Sequence, residues 1–184
     1  MVDFNISDEG WLQNSDKNVA YIVSPNCDLR PDESDICLIV VHGISLPPNE
    51  FGGHYIEQLF CNQLNPDDHE YFVQLKGLQV SSHLLIRRDG EVIQFVPFSQ
   101  RAWHAGFSQW QQREGCNDFS IGVELEGADD IAYEEEQYNQ LNKVLNALKV
   151  KYQNIGSDAV VGHNDIAPGR KTDPGDAFEW HRVK

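Results

Sequence analysis

The stretch VVGHNDIAPGRKTDPG, residues 160–175, places a histidine, a lysine and an aspartate in one short run broken by Pro168, Gly169, Pro174 and Gly175. Proline and glycine at that density exclude both a helix and a long strand, so His163, Lys171 and Asp173 share a loop. A second histidine, His42, ends the apolar run ICLIVVH much as His163 ends AVVGH. Buried strands are rigid, and the loops leaving their ends are common places for chemistry. Two imidazoles and one carboxylate are three protein ligands. Catalytic zinc uses that number and keeps a fourth position for water, whose pKa it brings to about 7. Glu124 and Glu126 stand two apart in FSIGVELEG, on one face of a strand and opposite Ile121, Val123 and Leu125. A carboxylate projecting from a sheet into a cleft is a general base, and two on one face can push one pKa upward. Lys171 can aim its ammonium at the same place and stabilise an oxyanion.

On residue types and spacing alone, each of these groups also has a plainer reading. A histidine at a strand end can be a satisfied structural residue, the two glutamates can form a solvated outer face, and Lys171 can be a surface lysine. His83 and His104, the latter in RAWHAG, can line a cleft or be hydrogen-bonded packing. His54, His69 and His181 read as loop or helix-surface residues.

The elements that must position these groups follow from periodicity. Ile36–His42 is a continuous, β-branched apolar run, the mark of a strand buried on both faces. SSHLLIRRDGEVIQFVP reads as a hairpin around Asp89-Gly90. Tyr133–Tyr152 reads as a helix, with Tyr138, Leu141, Val144, Leu145 and Leu148 on one face. Short helices are expected near Ser7–Gln13, over His54–Phe60 and in DAFEWHRV near the end. Residues 43–80 are long enough to cover a cleft beside His42 or to leave it open. The fold expected is a single α/β domain over residues 1–184, with a central mixed β-sheet flanked by helices.

Composition bounds the partners. The chain has 184 residues, enough for one domain with a proper core. Its formal net charge of −15 repels phosphate backbones and anionic membranes, so nucleic acid and membrane are not expected partners. No run approaches a membrane span. Cys27, Cys37, Cys61 and Cys116 form no C-x-x-C pair and read as reduced, partly buried thiols. The first residues lack the basic, apolar and small-residue regions of a signal peptide, which points to the cytoplasm.

Five segments together, VVHGISLPPNEFGG, VSSHLLIRRDGEVIQFVPF, RAWHAG, CNDFSIGVELEG and GHNDIAPGRKTDPG, resemble the AmpD family of N-acetylmuramoyl-L-alanine amidases, in the family's order from about Gly10 to Trp180. The resemblance implies the zinc-amidase and peptidoglycan-recognition fold and one zinc ion per chain. The expected ligands are His42, His163 and Asp173, with Glu124 and Lys171 as catalytic residues. It implies hydrolysis of the amide between the lactyl group of (1,6-anhydro-)N-acetylmuramic acid and L-alanine of a small muropeptide, in the cytoplasm and in the service of cell-wall recycling; apart from the resemblance, a monomer is the default expectation. In some Gram-negative bacteria loss of that activity induces a chromosomal β-lactamase. Tyr71, Trp103 and His104 are expected substrate contacts. Intact ligands and Glu124 argue against a relative that only binds peptidoglycan. The chain departs from the family pattern at Gly43, where members commonly carry Asn, and at Gln79 and Gly115, where some carry Arg that helps hold the substrate. Arg87, Arg88, Arg101 and Arg113 are the candidates to compensate.

Overall fold

The computed structural model describes residues 4–14 and 19–183. In chain order the strands are β1 (Phe4–Ile6), β2 (Leu12–Asn14), β3 (Val19–Tyr21), β4 (Cys27–Leu29), β5 (Leu38–Ile44), β6 (Leu84–Ile86), β7 (Val92–Gln94), β8 (Gln100–Ala102), β9 (Gln109–Trp110), β10 (Arg113–Glu114), β11 (Ser120–Glu126) and β12 (Val160–Gly162). The α-helices are α1 (Tyr55–Phe60), α2 (Glu135–Lys151) and the single turn α3 (His163–Ile166).

A six-stranded mixed sheet in the order β12-β5-β11-β6-β7-β3 forms the centre. β12, β5, β11 and β6 run parallel, and β6–β7 is the antiparallel hairpin expected around Asp89-Gly90. β5 and β11 are buried along almost their whole length, which explains why both read as apolar runs. Helix α2 packs one face of this sheet through Tyr138, Leu141, Val144, Leu145 and Leu148. Its start is fixed by Gln137, whose side-chain oxygen accepts from Glu134 N–H at 3.0 Å. The other face carries Leu85 and Ile93 under Ile56, Leu59, Phe60 and Phe72 from α1 and the 3-10 helix that follows it.

Two expected helices are absent, and a single helical turn, α3, begins at His163 where only a loop is expected, because Pro168 and Gly169 lie beyond its end and do not prevent one turn. Residues 7–13 form the turn and second strand of a hairpin, with Ile6 paired to Leu12. Burial of Phe4 and Leu12 against the main core overrides the local helix signal. The segment DAFEWHRV contains one 3-10 turn, Trp180–Arg182. Its backbone donors are taken by distant partners, Ala177 N–H by Asp129 O and Glu179 N–H by the Tyr138 hydroxyl. No described helix is long and apolar enough to cross a membrane.

Candidate metal centre and cleft

Register places the chemistry. On the parallel pair β5–β11, His42 lies directly beside Glu124, with Val40 beside Gly122 behind them. β12 pairs with the other edge of β5, so the residue that follows it, His163, arrives next to His42 at the same end of the sheet. The loop 167–175 then turns back: Asn164 N–H donates to Asp173 O, and Tyr133 Oη donates to Pro174 O at 2.9 Å. These bonds hold Asp173 against both imidazoles.

His42 Nδ1 lies 3.0 Å from His163 Nδ1, and each is 3.1 Å from Asp173 Oδ2. A tetrahedral zinc shell with bonds near 2.0–2.1 Å has ligand–ligand edges of about 3.3 Å, so this triangle matches three corners of such a shell. Two imidazole nitrogens and a carboxylate oxygen are also a donor set that zinc accepts. No other group of this kind occurs among the described residues. The electrostatics agree. Burial pushes His42 down to about 4, so its imidazole is neutral and its lone pair free at pH 7. In the metal-free protein burial opposes the charge on Asp173, but hydrogen bonds from His163 and His42, which a bound metal would replace, outweigh it and hold the carboxyl well below the usual carboxylate range.

Glu124 faces the same cavity and is 8% exposed. Burial first, and the Asp173 carboxylate second, raise its pKa well above the usual range, while Lys171 pulls the other way. Glu126, two residues on, is turned to a different task. It accepts from Gly52 N–H at 2.6 Å and from Arg87 Nη1 at 3.1 Å, and it does not line the cavity. Both carboxylates are buried, so the solvated outer face is not what the strand presents.

The cavity has a volume of about 470 Å³ and is open to solvent. Tyr71, Trp103 and His104 line it, as does Lys171. Trp103 is held by its Nε1–H donating to Asp28. Both ring nitrogens of His104 are engaged, Nδ1 with His42 Nε2 at 2.9 Å and Nε2 with Ser120 Oγ at 3.2 Å. His104 therefore offers a substrate only its ring surface. His83 lies deeper, accepting from Gly122 N–H and touching Arg30.

The three departures have structural settings. Gly43 sits under Tyr133: a Cβ there would meet the Tyr133 hydroxyl at 2.2 Å. Gly115 has φ 72°, a left-handed conformation that favours glycine over arginine. Gln79 lines a smaller cavity that shares Leu59, Leu75 and Leu78 with the main one. The candidate compensating arginines are committed elsewhere: Arg87 to Glu57 and Glu126, Arg88 to Glu134, Arg101 to Asp28 and Asp118, and Arg113 to Asp35. Among the described lining residues Lys171 is the cation of the main cavity. The sequence pattern does not single out Tyr133. Its two flanking glycine contacts, at Gly43 and Gly127, are the signal that identifies it.

The chain is 53% identical over 177 residues to the 1,6-anhydro-N-acetylmuramyl-L-alanine amidase AmpD of Citrobacter freundii, covering 96% of this chain and 92% of that protein. The crystal structure of a selenomethionine AmpD derivative superposes with a TM-score of 0.91 at 53% identity, over 97% of each chain. A complex of the Escherichia coli amidase AmiD with anhydro-N-acetylmuramic acid-L-Ala-D-γ-Glu-L-Lys superposes with a TM-score of 0.59 at 26% identity, over 100% of this chain and 65% of that one. The N-acetylmuramoyl-L-alanine amidase family model matches residues 32–176, and the chain belongs to that family.

Proposed function

We propose that this chain hydrolyses the amide between the lactyl group of N-acetylmuramic acid and L-alanine in 1,6-anhydro-muropeptides, with one zinc ion held by His42, His163 and Asp173. The observation that carries the reading is the convergence of those three ligand atoms beside Glu124 and Lys171 in one open cavity. Near-full-length similarity to AmpD supports the choice of bond and sugar. Bound there, zinc supplies a Lewis acid and lowers the pKa of water.

The chain's own groups do the rest. Glu124, once ionised, takes a proton from the attacking water as its oxygen bonds to the lactyl carbonyl carbon. Lys171 places a positive charge beside the oxyanion that forms. Glu124 then gives the proton to the alanine nitrogen as the C–N bond breaks, which leaves a lactyl carboxylate and a free peptide amine. Tyr71 and Trp103 wall the cleft and exclude water from one side of the sugar or stem. The reading places the enzyme in the cytoplasm, as a monomer acting on small muropeptides from cell-wall recycling. Its net charge of −15 supports the exclusion of nucleic acid and anionic membrane as partners.

Incubation with anhydro-N-acetylmuramic acid-L-Ala-D-γ-Glu-L-Lys, followed by mass spectrometry, tests this. Free tripeptide is expected, its release stopped by a chelator and restored by zinc. Intact substrate in the presence of bound zinc would overturn the assignment.

A further inference from the structure

The imidazoles of His42 and His163 both present Nδ1 to the centre, so both turn Nε2 away from it. The two Nε2 atoms meet consecutive residues of one segment. His42 Nε2 lies 2.9 Å from the Nδ1 of His104, and His163 Nε2 lies 3.2 Å from the carbonyl oxygen of Ala105. A carbonyl only accepts, so this 3.2 Å contact, shorter than the 3.5 Å approach of Arg170 Nη2 to the same nitrogen, favours the His163 tautomer with its proton on Nε2 and the Nδ1 lone pair kept for the centre. The other contact runs in the same sense. With the His42 proton on Nε2, His104 accepts at Nδ1 and donates from its own Nε2 to Ser120 Oγ, 3.2 Å away. Gly122 leaves the room this ring needs, since a Cβ there would meet its atoms at 2.6–2.8 Å.

The segment is itself held by one side chain. Asn117 Oδ1 accepts from His104 N–H at 3.1 Å and from Ala105 N–H at 2.8 Å. Arg170 closes the far side, donating from Nη2 to Ala105 O and to Phe107 O at 2.7 Å each. We propose that His104 and Asn117 are positioning residues for the metal centre: Asn117 fixes the backbone at 104–105, and that segment fixes the tautomer and orientation of both imidazole ligands. The hydrogen bonds of the Asn117 side chain go to this segment and not to His42 or His163. Its effect passes through two backbone N–H groups to an imidazole on one side and a carbonyl on the other. Outer partners of ligating histidines raise metal affinity in this way, and their loss typically costs about 10–100-fold. The inference rests on the ligand assignment above.

The test is zinc affinity by chelator competition, with the unfolding midpoint of each metal-free protein measured alongside. Wild-type protein is compared with Asn117→Leu, Asn117→Asp, His104→Phe and His104→Asn. The expected result is zinc binding about 10–100-fold weaker in Asn117→Leu and His104→Phe. Asn117→Asp, which keeps an oxygen for both N–H groups, and His104→Asn, which keeps an acceptor near the Nδ1 position, should stay much closer to wild type. In the zinc-loaded wild type the His42 Nε2 proton should be protected from solvent exchange by NMR; that protection should be lost in His104→Phe and kept in His104→Asn. Ser120→Ala removes only the end of the chain of hydrogen bonds, and covers the case in which His104→Phe does not fold. It should weaken zinc binding measurably without unfolding the protein. Wild-type protein that binds no zinc would sink the ligand assignment itself. Wild-type protein that binds zinc while Asn117→Leu and Ser120→Ala bind it equally well would overturn only the positioning role.

Discussion

At the scale of single residues, Glu124 makes the clearest demand. Its pKa is raised by burial and by Asp173, yet the proposed reaction needs it ionised. A bound zinc ion would pull that pKa back down, so activity should be lost as pH falls through the Glu124 pKa of the zinc-loaded protein, giving an acid limb to the kcat/KM profile. Glu124→Gln should lower kcat by about 10²–10⁴-fold while zinc still binds; near-normal turnover in that variant would exclude the general-base role. The same shift has a stability consequence of opposite sense. A carboxyl whose folded pKa is raised stabilises the fold at low pH and costs stability as pH rises from the unfolded value through the folded one. Metal-free Glu124→Gln should thus unfold at a higher temperature than metal-free wild type at neutral pH, with the gap closing at acid pH. Gly43 makes a steric demand, because the Tyr133 hydroxyl occupies the space a side chain would fill and donates to Pro174 O, next to the proposed ligand Asp173. Gly43→Ala should cost about 1–3 kcal/mol of overpacking and weaken zinc binding by displacing Pro174. Adding Tyr133→Phe to Gly43→Ala, which removes the clashing oxygen, should recover stability but not zinc affinity, since the bond to Pro174 is gone. If the single variant melts like wild type, the close approach does not hold in solution.

Elements differ in how openly the sequence declares them. β5 and α2 are legible because their periodicity is unbroken, one as a run of buried β-branched residues and the other as a three-and-four spacing of apolar residues. The convergence of His42, His163 and Asp173 is legible from residue types as one of two readings, and the resemblance selects it; spacing alone does not decide, because the convergence depends on β12 pairing with β5 across more than a hundred residues of chain. The hairpin β1–β2 and the turn at Trp180–Arg182 are not legible, since three-residue segments take their form from distant partners such as the Tyr138 hydroxyl. Asn117 acts on backbone N–H groups, which leave no pattern in residue types. The same holds for the tie between α1 and the sheet. Arg87 is buried between Glu57 and Glu126, and its Nη2 also donates to Gly53 O at 2.7 Å. It thereby fastens the segment that leads into α1, part of the cleft wall, to the strand that carries Glu124. Arg87→Met strands two buried carboxylates and should cost about 3–5 kcal/mol in denaturant unfolding. Glu91, 3.4 Å from the same guanidinium but with a side chain 48% exposed, sets the contrast. Glu91→Gln should cost at most about 1 kcal/mol. Equal costs for the two variants would mean that burial does not govern this network.

The whole molecule carries a formal net charge of −15, which the two positive charges of one bound zinc ion would barely offset, and its main cavity is lined by Glu124, Asp129 and Asp173 with Lys171 as its cationic side chain. Arg87, Arg88, Arg101 and Arg113 are all paired with carboxylates away from that cavity. The ligand in the AmiD complex, anhydro-N-acetylmuramic acid-L-Ala-D-γ-Glu-L-Lys, has a free α-carboxylate on its γ-linked glutamate, a terminal carboxylate and one ammonium. Its charge is therefore about −1 at neutral pH. Enzyme and substrate repel at long range, and the repulsion is screened as the Debye length falls from about 30 Å at 0.01 M to about 8 Å at 0.15 M ionic strength. For this chain kcat/KM on that substrate should consequently rise with salt over this range, mainly through a lower KM, while kcat stays nearly constant because the reacting centre is buried from the screening ions. A stem whose carboxylates are amidated removes the repulsion, and its kcat/KM should be nearly independent of salt. The opposite slope, a kcat/KM that falls as salt is added, would mean that a local positive field at the cleft mouth outweighs the net charge. Lys171 and Lys76, the latter lining the adjoining smaller cavity, would then be the residues to neutralise first.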